Sequence, residues 1–251
     1  MLDLGKAMIV SSAPMFSRLN REITSILSRD PAAKSRLEIF FCYPGFHAVM
    51  FYRASNWLWR KGLRFWPRWL SSFARFVTGI DIHPGATIGE NFFIDHGMGV
   101  VIGETSKIGN GVTIYHGVTL GGVSPQDSAK GSLRHPQIGD NVIIGSGAQL
   151  LGPINVGHGA RVGSNAVVVK DVPPCARMVG VPARNVAKTT RPEEEFTAYG
   201  ISGDDVPDVV MKNFEEMDKT IRDLTRRLAE LEGGAESVDS WEADKPKKSK
   251  K

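Results

Sequence analysis

An aliphatic residue returns at every sixth position through the middle of the chain: at Ile82, Ile88 and Ile94; at Ile102, Ile108, Ile114 and Leu120; and at Ile138, Ile144, Leu150, Val156, Val162 and Val168. Repetition of this kind constrains an architecture more tightly than any single motif. Glycine follows many of these residues, as at Gly89, Gly103, Gly109, Gly121, Gly139, Gly145, Gly157 and Gly163, which suits a tight corner after an inward side chain. Three six-residue sides make one triangular coil of eighteen, so the period predicts a parallel β-helix with a column of Ile, Val and Leu along its axis. A Val/Ile-rich sandwich would have to keep thirteen positions in three phased runs by chance.

The beat is interrupted twice. From Ile94 to Ile102 the step is eight, so two extra residues bulge around Asp95, His96, Gly97 and Met98. From Leu120 to Ile138 the beat disappears into Gly121 to Pro136, a polar stretch rich in Gly and Pro. Loops on a rigid scaffold are where binding groups collect, so these two interruptions are the candidate site.

At 251 residues and 41% hydrophobic the chain can bury a sizeable core. It has no apolar run of membrane-spanning length and no signal peptide pattern, and Cys42 and Cys175 match neither a disulfide framework nor a metal spacing. A cytoplasmic protein without membrane or nucleic-acid partners is expected. The net charge of +4 does not argue for nucleic acid, because Lys245, Lys247, Lys248, Lys250 and Lys251 supply +5 and the remainder is near −1.

Five zones follow. Residues 1–79 form a helical N-terminal domain with breaks near Asp30-Pro31, Pro44-Gly45, Gly62 and Pro67, and its segment from Phe46 to Trp59 reads as a buried packing helix. This domain is expected to cap the first coil, whose strand edges would otherwise be open. Residues 80–186 form the β-helix and 187–204 a linker. In residues 205–233, Val210, Phe214, Met217, Ile221, Leu224, Leu228 and Leu231 alternate steps of four and three, a heptad seam flanked by Glu215, Lys219, Arg222 and Glu230. That pattern fits a short coiled coil, with an amphipathic helix lying on its own subunit as the other reading. Residues 234–251 are a lysine-rich tail expected to be disordered. The fold class is therefore α+β, a helical domain followed by a β-helix and a coiled-coil helix.

A structural β-helix needs neither Asp81, in Asp81-Ile82-His83-Pro84, nor His96, in Ile94-Asp95-His96-Gly97. Their separation of fifteen residues is close to one coil, which predicts contact between them. An imidazole held by a carboxylate on one nitrogen presents the other as an acceptor, as a general base for a hydroxyl requires.

The motifs extend beyond this pair. Arg29-Asp30-Pro31-Ala32, Gly45-Phe46-His47-Ala48, Asp81-Ile82-His83-Pro84, Ile94-Asp95-His96, Val101-Ile102-Gly103-Glu104-Thr105, Val118-Thr119-Leu120-Gly121-Gly122, Arg134-His135-Pro136 and Gly180-Val181-Pro182-Ala183-Arg184 occur in that order. Together they resemble the serine O-acetyltransferases, a branch of the hexapeptide-repeat acyltransferases, over residues 20–186. The resemblance implies left-handed coils, acetyl-CoA as co-substrate, His96 as general base with Asp81 as its partner, and Asp30, Asp95, Arg134 and His135 around the amino acid. Such residues suit the ligand, since Arg134 can grip a carboxylate with two hydrogen bonds while Asp30 and Asp95 favour an ammonium. CoA is expected in a groove between subunits, beside Gly122, Gly145, Ala148 and Ala166, with Lys170 meeting a phosphate. No metal is expected.

The resemblance also implies a homotrimer, with a dimer of trimers as the alternative, and L-cysteine as a feedback inhibitor at the serine site. The chain ends Lys-Ser-Lys-Lys rather than in the terminal Ile of relatives that dock onto the next enzyme of cysteine synthesis, so docking by the C-terminus is not expected. A rival acetyltransferase acting on a sugar or xenobiotic hydroxyl, with His116 as base, stays open at this point, as does homoserine as the acceptor. So do a zinc site shared between subunits and a mainly interacting role for the coiled coil.

Overall fold

Each six-residue unit folds into a very short strand and a corner. A computed structural model describes residues 15–123, 132–186 and 217–227. The first coil is β1 (Asp81–Ile82), β2 (Thr87–Ile88) and β3 (Phe93–Ile94), and the second is β4 (Val101–Ile102), β5 (Lys107–Ile108) and β6 (Thr113–Ile114). The third is β7 (Thr119–Gly121), β8 (Gln137–Ile138) and β9 (Ile143–Ile144), and the fourth β10 (Gln149–Leu151), β11 (Asn155–Val156) and β12 (Arg161–Val162). A last coil adds β13 (Val167–Val168) and β14 (Arg177–Val179), against which β15 (Arg184–Asn185) pairs antiparallel. The strands stack as three parallel sheets: β1-β4-β7-β10-β13, β2-β5-β8-β11, and β3-β6-β9-β12-β14.

Strand register confirms the interrupted beat. Asp81, Val101, Thr119, Gln149 and Val167 lie one above another, in steps of 20, 18, 30 and 18 residues. Two extra residues therefore leave the coil at the His96 bulge, and twelve leave it before Arg134. All thirteen residues of the beat are buried in one aliphatic column. A second inward position lies at the corners, where Ala86, Phe92, Val112, Val118, Val142, Ala148, Ile154, Ala160 and Ala166 complete the same core.

Along the strands, each coil donates its N–H groups to carbonyls of the next, as from Asp81 N to Val100 O (2.9 Å) and from Thr119 N to Ala148 O (3.0 Å). The first coil consequently has carbonyls with no coil beneath them, and buried carbonyls need donors. Helices supply them. The N-terminal part comprises α1 (Met15–Arg29), α2 (Arg36–Cys42), α3 (Pro44–Arg60) and α4 (Phe65–Thr78). Ser71 donates to the carbonyl of Ile82 (2.8 Å), Asn56 to Pro84 (2.8 Å), Tyr52 to Ala86 (2.7 Å) and Arg53 to Ile88 (2.6 Å). The expected cap on the first coil is thus built from side-chain hydrogen bonds. Gly45 at the start of α3 lies against the carbonyl of Ile94 so closely that a Cβ there would overlap it.

Two expectations for the helices need correction. Pro67 does not break the chain; it is the third residue of α4, within the first turn, where the N–H has no helical partner to lose. The segment from Phe46 to Trp59 is buried on one face only, through Phe46, Val49, Tyr52 and Ser55, while Trp57 is 60% exposed. Likewise α4 buries Ser71 and Ala74 and leaves Trp66, Trp69, Phe73 and Phe76 uncovered in the single chain.

The chain divides into two units, Met1–Asp205 and Val206–Lys251. In the second, residues 217–227 are helical, and Met217, Ile221 and Leu224 of the heptad seam lie exposed on that helix. The linker, the remaining seam residues and the lysine tail lie outside the described residues. No helix among those described is long and apolar enough to cross a membrane.

Candidate active site

The polar groups singled out by the sequence gather at two corners of the triangular stack. One lies where each coil passes from its third side to its first, and carries the bulge. Here His96 has φ of 60°, in the left-handed region that a non-glycine residue adopts at a cost. Gly97 and Gly99 beside it have φ of 75° and 76°, and together they fold the extra residues out of the coil. The His96 side chain is 69% exposed, and its Nε2 lies 3.9 Å from Oδ1 of Asp95. His116, one coil on at the same corner, has its ring 6.0 Å from that of His96, edge to face.

Asp30 reaches this corner from the end of α1. The neighbouring Arg29 donates to the carbonyls of Gly111 (3.2 Å) and Asn91 (2.6 Å) and to the hydroxyl of Thr113 (3.0 Å). That staple ties the helix to the coils, and burial pulls the Arg29 pKa down to about 10. One carboxylate oxygen of Asp30 caps Ala32 N (2.8 Å), and the other accepts from the Tyr43 hydroxyl (2.6 Å). Burial, and the Asp30 carboxylate nearby, raise the pKa of Asp95 against the opposing pull of His96. A second carboxylate beside Asp95 makes this corner a place for a cation.

The second corner lies where the first side turns into the second. Arg134 and His135 end the long excursion there, over Glu104 and Thr105 of the preceding coil. Arg134 Nη2 donates to Glu104 Oε2 (3.0 Å), and Arg134 N donates to the Thr105 hydroxyl (3.1 Å). His135 is buried, and its Nδ1 accepts from Thr105 N (3.1 Å) with Thr105 Oγ1 at 2.8 Å. Its ring packs against Gly103, where a Cβ would overlap it. Burial first, and the Arg134 charge second, lower the His135 pKa.

His83 is at the same corner on the first coil, edge to face with Trp59 at 5.2 Å. Its Nδ1 accepts from Gly85 N (3.0 Å), and burial and the Arg68 charge take its pKa down to about 4. An unfolded histidine titrates near ~6.5, so between about pH 6.5 and about pH 4 the unfolded chain binds more protons. The stability contributed by neutral His83 is therefore whole above ~6.5 and is lost as pH falls towards about 4. Urea unfolding should show a midpoint that drops through this window, and His83→Gln should flatten part of the drop; equal slopes for the two proteins would contradict the assignment.

The structure brings Asp30, Asp95 and His96 to one corner and Arg134 and His135 to another. The predicted contact between Asp81 and His96 is not formed in the single chain. Asp81 opens β1 beside the bulge, but its Oδ2 lies 3.4 Å from Arg75. The bulge folds His96 outward, into solvent. Among the groups expected near CoA, Ala148 and Ala166 are fully buried and turn their methyls into the core. Only their backbone can border a groove. Gly145 lies at the His96 corner, while Gly122 and exposed Lys170 follow the first side of their coils at the Arg134 corner. The sequence reading missed Tyr43, Glu104 and Thr105 as partners of site residues. The Gly103-Glu104-Thr105 run was visible, but nothing in it says which loop it faces.

Known proteins resemble this chain in sequence and in fold. Residues 135–170 match the family described as bacterial transferase hexapeptide (six repeats). A serine acetyltransferase of Mycobacterium tuberculosis (strain ATCC 25618 / H37Rv) is 53% identical over 175 residues, 70% of this chain and 75% of that protein. The crystal structure of Neisseria gonorrhoeae serine acetyltransferase in complex with serine aligns with a TM-score of 0.64 at 40% identity, covering 68% of this chain and 69% of that one. A serine acetyltransferase in complex with cysteine aligns with a TM-score of 0.65 at 38% identity, covering 68% of this chain and 69% of that one. At this identity and coverage, this chain belongs to the serine acetyltransferase family.

Proposed function

We propose that this protein moves the acetyl group of acetyl-CoA onto the hydroxyl of L-serine, giving O-acetylserine for cysteine synthesis, at a site built from two copies of the chain. One observation carries the reading: the groups suited to an amino acid are divided between two corners. The corners are one side of the triangle apart, roughly 15–20 Å at ~3.3 Å per residue. A single serine cannot touch both. A homotrimer about an axis parallel to the stack sets the His96 corner of one copy against the Arg134 corner of the next, and closed cyclic symmetry repeats that site three times.

In that site Asp30 and Asp95 hold the ammonium group of serine, and Arg134 with His135 hold its carboxylate side. His96 takes the hydroxyl proton as the oxygen attacks the thioester carbonyl. The tetrahedral intermediate then expels CoA thiolate as the C–S bond breaks, and the imidazolium returns the proton to the sulfur. Asp81 is the carboxylate that steadies this imidazolium. Its pairing with 68% exposed Arg75 is of the kind worth less than about 1 kcal/mol, and so is readily exchanged. A backbone N–H of the Gly121-Gly122 turn, or His135, supports the developing oxyanion. CoA runs along the groove between copies, past the backbone of Gly145, Ala148 and Ala166 and towards Lys170. L-cysteine, which differs from serine by one atom, competes for the same groups. The coils wind left-handed, and the exposed seam of residues 217–227 is the start of a coiled coil.

Mixing two inactive variants tests the shared site. His96→Ala and Arg134→Ala chains each lack one corner, but a mixed trimer places one intact pair of corners side by side. Random mixing in equal amounts makes about three quarters of trimers mixed, each with one working site of three, so about one quarter of native activity should return. Activity no higher than that of the separate variants would place the two corners in unrelated sites.

A further inference from the structure

We infer that Thr105 is a positioning residue for the reaction, fixing His135 as a ring that carries its proton on Nε2 and therefore donates a hydrogen bond to the substrate. The inference rests on the reading of the Arg134 corner given above.

The Thr105 backbone N–H lies 3.1 Å from His135 Nδ1. An amide N–H only donates, so Nδ1 must offer a lone pair. In a neutral imidazole the proton then sits on Nε2. Burial and the neighbouring Arg134 charge keep the ring neutral. The Thr105 hydroxyl adds a second tie. It accepts from Arg134 N at 3.1 Å and, 2.8 Å from Nδ1, gives its own hydrogen to the ring. Gln137 Nε2 braces both backbones, donating to the carbonyls of Thr105 (3.0 Å) and His135 (3.0 Å). The long excursion from the coil is thus pinned at its end by one threonine of the coil beneath. Glu104, the preceding residue, holds Nη2 of Arg134 at 3.0 Å, leaving the other donors of the guanidinium for a ligand.

This assigns different work to the two histidines. His96 is exposed, and among the described residues no backbone N–H donates to either ring nitrogen, so its lone pair is open to a substrate hydroxyl. His135 already uses its only basic nitrogen against the protein, so it cannot act as a base and serves as a neutral donor.

Histidine-selective 15N labelling of the native protein reads the tautomer directly, with the His135 signal identified by its loss in His135→Ala. The expected result is a protonated Nε2 and an unprotonated Nδ1. A protonated Nδ1 overturns the inference whatever the kinetics show. Kinetics test the hydroxyl. Thr105→Val keeps shape and amide but loses a hydroxyl tie, and should lower kcat/KM for serine about tenfold while KM for acetyl-CoA stays unchanged. Thr105→Ser should return to within about twofold of native. Native serine kinetics in Thr105→Val, or an equal loss in both variants, overturns the positioning role. If instead His135→Ala itself turns over serine like the native protein, the reading of this corner fails, even with the tautomer as stated.

Discussion

His96→Ala is expected to lower kcat/KM for acetyl transfer to serine by about 10² to 10⁴, the range that a positioned general base supplies. The loss should lie mainly in kcat, because the role proposed for His96 is at the reacting hydroxyl and not at the ammonium or carboxylate of serine. His116→Ala is the control. It removes the other imidazole of the same corner, 6.0 Å away, but not the residue held in the left-handed bend of the bulge. Its activity should stay within about tenfold of native. Release of CoA thiol on serine addition measures both. If His116→Ala proves the more damaged, the base has been placed on the wrong coil.

Leu120→Ala is expected to cost about 2–5 kcal/mol of stability, as large-to-small changes in a packed core do. Leu120 is fully buried, with Ile102 in register below it and Leu150 above. Coils cannot slide together to fill the gap, because the hydrogen bonds between strands hold their spacing. Val101 is next to Ile102 on the same strand but faces outward and is 39% exposed, so Val101→Ala should change stability by roughly 0.5 kcal/mol or less. Urea unfolding at one fixed protein concentration compares the two, since assembly makes apparent stability depend on concentration. Equal losses would mean that the column is not the source of stability.

The column was legible because a period of six needs no knowledge of tertiary contacts. Each of Ile82 to Val168 on the beat faces inward, and even the interruptions marked the loops bearing His96 and Arg134. The second inward position was equally periodic but was hidden by its composition. It runs from Ala148, Ala160 and Ala166 to Phe92 and Ile154, and small residues in sequence also suggest a ligand groove. The expected contact of Asp81 with His96 followed from counting residues along a regular coil. The bulge spoils that count locally, since a left-handed turn at His96 aims the ring out of the stack. Nor could spacing along the chain reveal that Asp30 and Arg134 belong to opposite corners. That depends on which side of the triangle the excursion leaves from. Tyr43, Glu104 and Thr105 act through hydrogen bonds to other residues, and such roles have no signature until the partners are adjacent.

The four donors beneath the first coil have a meaning beyond local pairing. A stack of similar rungs has no natural end, and its lower face would accept hydrogen bonds from the upper face of any other molecule of the kind, joining rods head to tail into a fibre. Ser71, Asn56, Tyr52 and Arg53 close that face with side chains. They work as a chain terminator does in polymer chemistry. The helical domain thereby keeps a repetitive core from growing without limit.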